Sequence, residues 1–200
     1  MEEQFKQLSE YLPFIFFIAI VLFVFGMFRW NARKMRSRLE PIAMSLGGEL
    51  VSRFLVMNYV RLMNCGSEAR VELFPGGENS PPQLVLREFA ELGFDLSITS
   101  ENVVTRAMEK IGLPIEMKIG DPMFDDKYLV SSRSRDKAQN FLLSPERRQI
   151  IDYFFSNGFV GLKIQNKVVA VQKPNYRDDD LEPSALKAHL DQLHRLISGA

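Results

Sequence analysis

Seventeen consecutive residues near the N-terminus, LPFIFFIAIVLFVFGMF at positions 12–28, carry no charge. As a helix they span about 26 Å at ~1.5 Å per residue. Tyr11 and Trp30 flank the run, and their amphipathic rings favour the headgroup region, extending it to a full bilayer crossing. Such a helix is apolar all the way round, which lipid requires and a water-facing surface does not tolerate. Pro13 falls in the first turn, where a missing N–H does little harm.

A cleaved signal peptide would want a basic leading region, a shorter apolar core and small residues at the cleavage site. Here the leading residues are acidic and the core is followed by bulky and basic residues. A buried core helix rarely runs so long without one polar residue. The segment therefore reads as a retained anchor. Its flanks set the direction. Residues 1–28 carry a net charge of −2, and residues 29–38 carry +5 from Arg29, Arg33, Lys34, Arg36 and Arg38. The excess of basic residues after the span places the N-terminus outside and the remainder in the cytoplasm, at the cell (inner or plasma) membrane. The same five residues are candidates for lipid-headgroup contact.

The expected organisation is a short extracytoplasmic tail at 1–10, a transmembrane helix at 11–30, a basic juxtamembrane helix at 31–46 and a cytosolic α+β domain at 47–200. Glu40-Pro41 is expected to interrupt the juxtamembrane helix, since the residue before proline resists the α conformation, and Gly47-Gly48 to end it. Short apolar and mixed runs then predict strands: GELVSRFLV, NYVRLMNC, ARVELF, QLVLREFA and FDLSITS. PGGENSPPQ at 75–83 predicts a loop. Ser100 caps a predicted helix over ENVVTRAMEKI, with Val104, Ala107, Met108 and Ile111 on one face. RDKAQNFLL predicts a short helix, and Ser144-Pro145 opens another. FVGLKIQNKVVAVQ predicts a hairpin turning at Gln165-Asn166-Lys167. The last helix, from about Leu181, carries Leu186, Leu190, Leu193 and Ile197 at helical spacing, with the acidic run Asp178–Asp180 at its dipole-favoured start. The fold class is α+β, a mostly antiparallel sheet packed by helices behind one transmembrane helix.

Residues 39–200 hold 19 basic and 22 acidic side chains. A slightly acidic domain lacks the basic footprint of a nucleic-acid binder. The single cysteine, Cys65, excludes an internal disulfide, fits a reducing compartment, and is expected in or near the core. The two histidines, His189 and His194, are five positions apart, which is not the i, i+4 spacing of a helical metal pair, and surface or interface packing is expected of them. No phosphate-binding loop, nucleophile elbow or dinucleotide fingerprint is present. No catalytic, cofactor-binding or metal-binding residue is assigned, and no cofactor is expected.

One acidic stretch needs separate treatment. GDPMFDDKYLV, at 120–130, brings Asp121, Asp125 and Asp126 together before a predicted strand. Their spacing matches no calcium loop. Asp121-Pro122 initiates a turn, Asp125 is placed to accept from backbone N–H groups, and Phe124, Tyr128 and Val130 share one face. With KAQNFLLSPERRQII downstream, this stretch resembles a family of uncharacterised, mainly bacterial, membrane-anchored proteins. Their soluble part carries G-D-x-x-F-D-x-x-[FY]-x-V, and Gly120, Asp121, Phe124, Asp125, Tyr128 and Val130 match it. Ala138, Leu142 and Leu143 match a following A-x-x-L-L only loosely, because Gln139, Asn140 and Phe141 intervene. The resemblance implies a membrane location and an α+β cytosolic domain, and it carries over no catalytic residue.

The expectation is a membrane-tethered binding or scaffolding module rather than an enzyme. Its partners are the bilayer and a membrane or cytosolic protein, a second copy included, met through the last helix or the 75–83 loop. Two alternatives stay open: a tethered enzyme using Asp121, Asp125 or Asp126, and a domain that responds to anionic lipid through Arg29–Arg38.

Overall fold

The computed structural model describes residues 2–52, 58–77, 80–100 and 117–199, with side chains from residue 14 onward. Its first element is a 45-residue helix, α1 (Glu2–Leu46). The N-terminal residues, the apolar run and the basic turn thus belong to one continuous rod. The expected break at Glu40-Pro41 does not occur. Leu39, Ile42 and Ala43 are buried in the domain core on both sides of the proline, and that packing outweighs the ~3 kcal/mol a mid-helix proline costs. Gly47 ends the helix at φ +64°, and the Gly48 N–H reaches back to the Ala43 carbonyl at 2.8 Å, closing a Schellman-type cap. A Cβ on Gly48 would lie 2.9 Å from the Arg61 carbonyl oxygen, so the chain can pass against the sheet there only as glycine.

Eight strands follow: β1 (Glu49–Val51), β2 (Tyr59–Asn64), β3 (Ser67–Phe74), β4 (Gln83–Phe89), β5 (Leu96–Ser100), β6 (Tyr128–Ser131), β7 (Gly161–Gln165) and β8 (Val168–Pro174). They form one antiparallel sheet in the order β1-β2-β3-β4-β8-β7-β5-β6. After β4 the chain leaves a gap of two strands before β5, and the C-terminal hairpin fills it. Two tight turns fix register. Asn166 and Lys167 both have positive φ between β7 and β8, as a two-residue hairpin of matching twist requires. Cys65 (φ +48°) and Gly66 (φ +90°) do the same between β2 and β3. Cys65 is therefore an exposed turn residue rather than a core one.

Between β5 and β6, α2 (Pro122–Asp125) is a single turn, and α3 (Arg135–Leu142) and α4 (Pro145–Ser156) follow β6. A 3-10 turn at Asp178–Leu181 precedes α5 (Pro183–Ser198). The acidic run thus forms its own turn rather than the first turn of the last helix.

One sheet face is dry. Strand residues such as Val71, Leu86, Val171, Leu162 and Ile98 meet Leu39 and Ile42 of α1, Ile151 and Phe154 of α4, and Leu186, Leu190, Leu193 and Leu196 of α5. Leu196 takes the buried position, and Ile197 is only partly buried. On the other face most side chains are half or fully exposed, with Tyr59 and Val85 the buried exceptions. The helix predicted over 101–111 and residues 53–56 of the first predicted strand lie outside the described residues.

Candidate functional site

The Gly120–Val130 segment uses its acids to organise backbone. Asp121 caps α2, its Oδ1 accepting from the Met123 and Phe124 N–H groups at 3.0 and 3.3 Å. Its other oxygen pairs with the Arg148 guanidinium of α4. Asp125 accepts from Ile119 N–H and Gly120 N–H, one on each oxygen, both at 2.9 Å. Gly120 adopts φ +87° to present its N–H there. Phe124 and Tyr128 are buried with ring centroids 4.8 Å apart, and Val130 is buried beside them. The Tyr128 hydroxyl donates to Asp152 at 2.5 Å; burial first, and then that carboxylate, push its pKa well above the ordinary phenol value. The six motif residues come together as a structural clasp between the edge of the sheet and α4. Among the described residues, no three His, Cys, Asp or Glu side chains converge to hold a cation.

The basic turn is arranged differently. Arg29, Arg33, Lys34, Arg36 and Arg38 are all exposed along α1, while Met35 among them and Leu39 just after them are buried. Arg38 reaches the Tyr176 hydroxyl at 3.4 Å and Asp178 at 3.9 Å. The other four form no ion pair among the described residues. The Asn58 side-chain amide donates to the Ala32 carbonyl at 2.8 Å, so the domain grips the helix within one turn of Trp30. Toward the N-terminus the described side chains of the helix, 14–31, are all exposed. Its most apolar window has mean hydropathy 2.0 with none of it buried, long and apolar enough to cross a membrane.

His189 proves to be internal and His194 half-buried. His189 is buried among Tyr153, Phe154 and Phe159, its Nδ1 2.9 Å from the Tyr153 hydroxyl. Burial, and then the nearby Lys173 ammonium, lower its pKa. His194 Nδ1 lies 2.6 Å from Oε1 of Glu88, a fully buried carboxylate on the covered face of β4. Burial raises the Glu88 pKa, opposed chiefly by His194. Its Oε2 has no hydrogen bond among the described residues, although the Asn64 and Ser67 side chains lie close by. Sequence spacing gave no hint of either pairing, since Glu88 and His194 are 106 positions apart.

A groove of about 450 Å³ runs along the uncovered sheet face. Its origin is the choice of side chains. Strand β8 presents Val168 and Ala170 outward, beside the longer Arg87 of β4 and Lys163 and Gln165 of β7, so the middle strand is a valley between two ridges. Val85 completes the apolar floor, and Phe74 and Gln83 line the groove on the β3–β4 side. Arg87 and Lys163 both pair in register with Ala170, one from each side. Arg87 Nε donates to Glu72 at 3.0 Å, leaving its terminal nitrogens without a hydrogen bond among the described residues. Lys163 is exposed. The groove lining includes two cations and no carboxylate. In the sequence, β8 reads only as half of a hairpin; its place between β4 and β7, which makes the groove, depends on strand order.

A long apolar helix built into an eight-stranded antiparallel sheet, with helices on one face only, defines the class: an α+β domain on an anchor-like helix. The solved structure of the mycobacterial trehalose monomycolate transport factor A, TtfA, shares this fold. The TM-score is 0.56 at 13% identity, over 82% of this chain and 94% of that one. No protein-family profile matches the sequence, and no curated protein matches it.

Proposed function

We propose that this chain is a single-pass membrane protein whose cytoplasmic domain works by binding or scaffolding, without catalysis. One observation carries the reading: α1 is a single helix that is apolar and exposed from Phe14 to Phe28 and supplies core residues from Met35 onward. Bare phenylalanines such as Phe16 and Phe23 need an apolar surround, and lipid provides it. Cleavage after the apolar run would leave the core half intact, but a stop this close to the domain gives a processing enzyme no loose segment to work on. With the apolar run in lipid the five basic residues would lie near the headgroups, and the four without ion partners among the described residues could meet anionic lipid there. The engagement of Asp121 and Asp125 with backbone and Arg148 argues against the tethered-enzyme alternative. TtfA is named a transport factor, and a non-catalytic role here is compatible with that at the level of fold alone.

Crosslinking in intact native membranes tests the reading. A stoichiometric protein partner, or a second copy, is expected to be joined to the domain. A domain that remains uncrosslinked at every surface position, together with a turnover activity in the purified protein, would overturn it.

A further inference from the structure

We infer that the groove on the uncovered sheet face is a docking site for an extended acidic segment of a partner protein, with a carboxylate seated between Arg87 and Lys163. The inference deepens the binding reading above and rests on it. The valley over β8 is two strand spacings wide between β4 and β7, about 10 Å, and five residues long from Val168 to Gln172, about 13 Å. Those dimensions admit one extended peptide strand and little else.

Charge selects its character. The two cations face each other across Ala170; Arg87 is paired through Nε with Glu72 and keeps its terminal nitrogens for a second acceptor, while the lining offers no carboxylate to neutralise Lys163. A neighbouring pair shows what this face does with its other cations. Arg70 is tied to Glu68 at 2.7 Å and stacks on Phe89 at 4.4 Å, whereas Lys163 has neither kind of partner among the described residues. Polarity then favours peptide over an acyl chain. Gln83, Gln165, Asn166 and Gln172 line the groove; Gln172 Nε2 donates to Gln83 Oε1 at 2.7 Å, and the remaining carboxamide donors and acceptors suit the N–H and C=O groups of an extended backbone. Beneath hydrocarbon the Gln165 and Asn166 amides, which have no side-chain partner among the described residues, would be desolvated, and the floor of Val85, Val168 and Ala170 is too open to shelter an acyl tail.

The test uses the full chain in nanodiscs of phosphatidylcholine, which carries no net charge to compete for cations. Selection from a random nonapeptide display library should enrich sequences holding two or more Asp or Glu residues. Binding of an enriched synthetic peptide should weaken with salt. It should also weaken by about tenfold on Lys163→Glu, where charge reversal turns attraction to repulsion. Ala170→Leu, which fills the valley, should weaken it without changing its salt dependence. Thermal melts establish that each variant is folded; Lys163 is exposed, so its substitution leaves the core untouched. The inference is overturned if no acidic sequence is enriched over empty nanodiscs. It is also overturned if both variants bind normally, if binding is lost instead on replacing Arg33, Lys34 and Arg36 with glutamine, or if a fluorescent fatty acid occupies the groove and no acidic peptide does. Should membrane crosslinking to a partner survive Lys163→Glu and Ala170→Leu, the groove assignment fails while the binding reading stands.

Discussion

Asp125 accepts one backbone N–H on each carboxylate oxygen, and this division of labour is testable. Asparagine keeps one acceptor and turns the other into a donor aimed at an N–H. Asp125→Asn should therefore destabilise the domain by about 1–3 kcal/mol in urea unfolding, while added magnesium, calcium or zinc leaves the wild-type melting temperature unmoved. A metal-induced rise would revive the carboxylate cluster as a site. His189 makes a second prediction. Tyr153, Phe154, Phe159, Lys173 and Asp180 all bear on it, and the net effect lowers its pKa. Below about pH 6.5 the unfolded imidazole takes up a proton that the folded one resists. Stability should fall as pH drops through that range, and His189→Gln should flatten the slope. Glu88 has the opposite sign: its raised pKa gives stability that is present at low pH and is lost as pH rises through the folded value. The Asp125 contacts were legible because its partners lie five and six residues away. The histidines were not, because pairs that join α5 to β4 and to α4 leave no local pattern.

Helix α1 couples the two halves of the molecule. Leu39 is fully buried, and Leu39→Ala should cost about 2–5 kcal/mol by leaving a cavity, whereas Met44→Gln, on the exposed side of the same helix, should be nearly neutral. Chemical denaturation of the full-length protein in detergent separates the two. If both were neutral, the second half of α1 would be a mere extension of the anchor. Elements with a local signature read well from sequence. The β7–β8 hairpin declares itself through Asn166-Lys167, and α4 through Ser144-Pro145, whose hydroxyl accepts from the Arg147 N–H. Pro41 misled because its local preference was set against burial of Leu39, Ile42 and Ala43, and a single-residue rule does not register tertiary packing. Cys65 misled similarly: its apolar character suggested the core, whereas the turn between β2 and β3 takes it for a left-handed position.

On the scale of the whole molecule, a rod that passes from an exposed apolar stretch into the core leaves no hinge, and under the proposed anchoring the sheet would be carried at a fixed height above the bilayer. The fold class was legible, since one uncharged run and a series of short strands leave few arrangements. Strand order was not, because inserting β8 and β7 between β4 and β5 pairs residues far apart in sequence, and the groove exists only by virtue of that insertion. The central claim is that α1 is embedded in the membrane and holds the domain on the cytoplasmic side. The single cysteine, Cys65, is exposed in the β2–β3 turn and reports on it directly through a membrane-impermeant maleimide applied to sealed cells. Cys65 should stay unlabelled until the membrane is permeabilised, while a Ser9→Cys, Cys65→Ser variant should label at once from outside. Prompt labelling of Cys65 in intact cells would contradict the account.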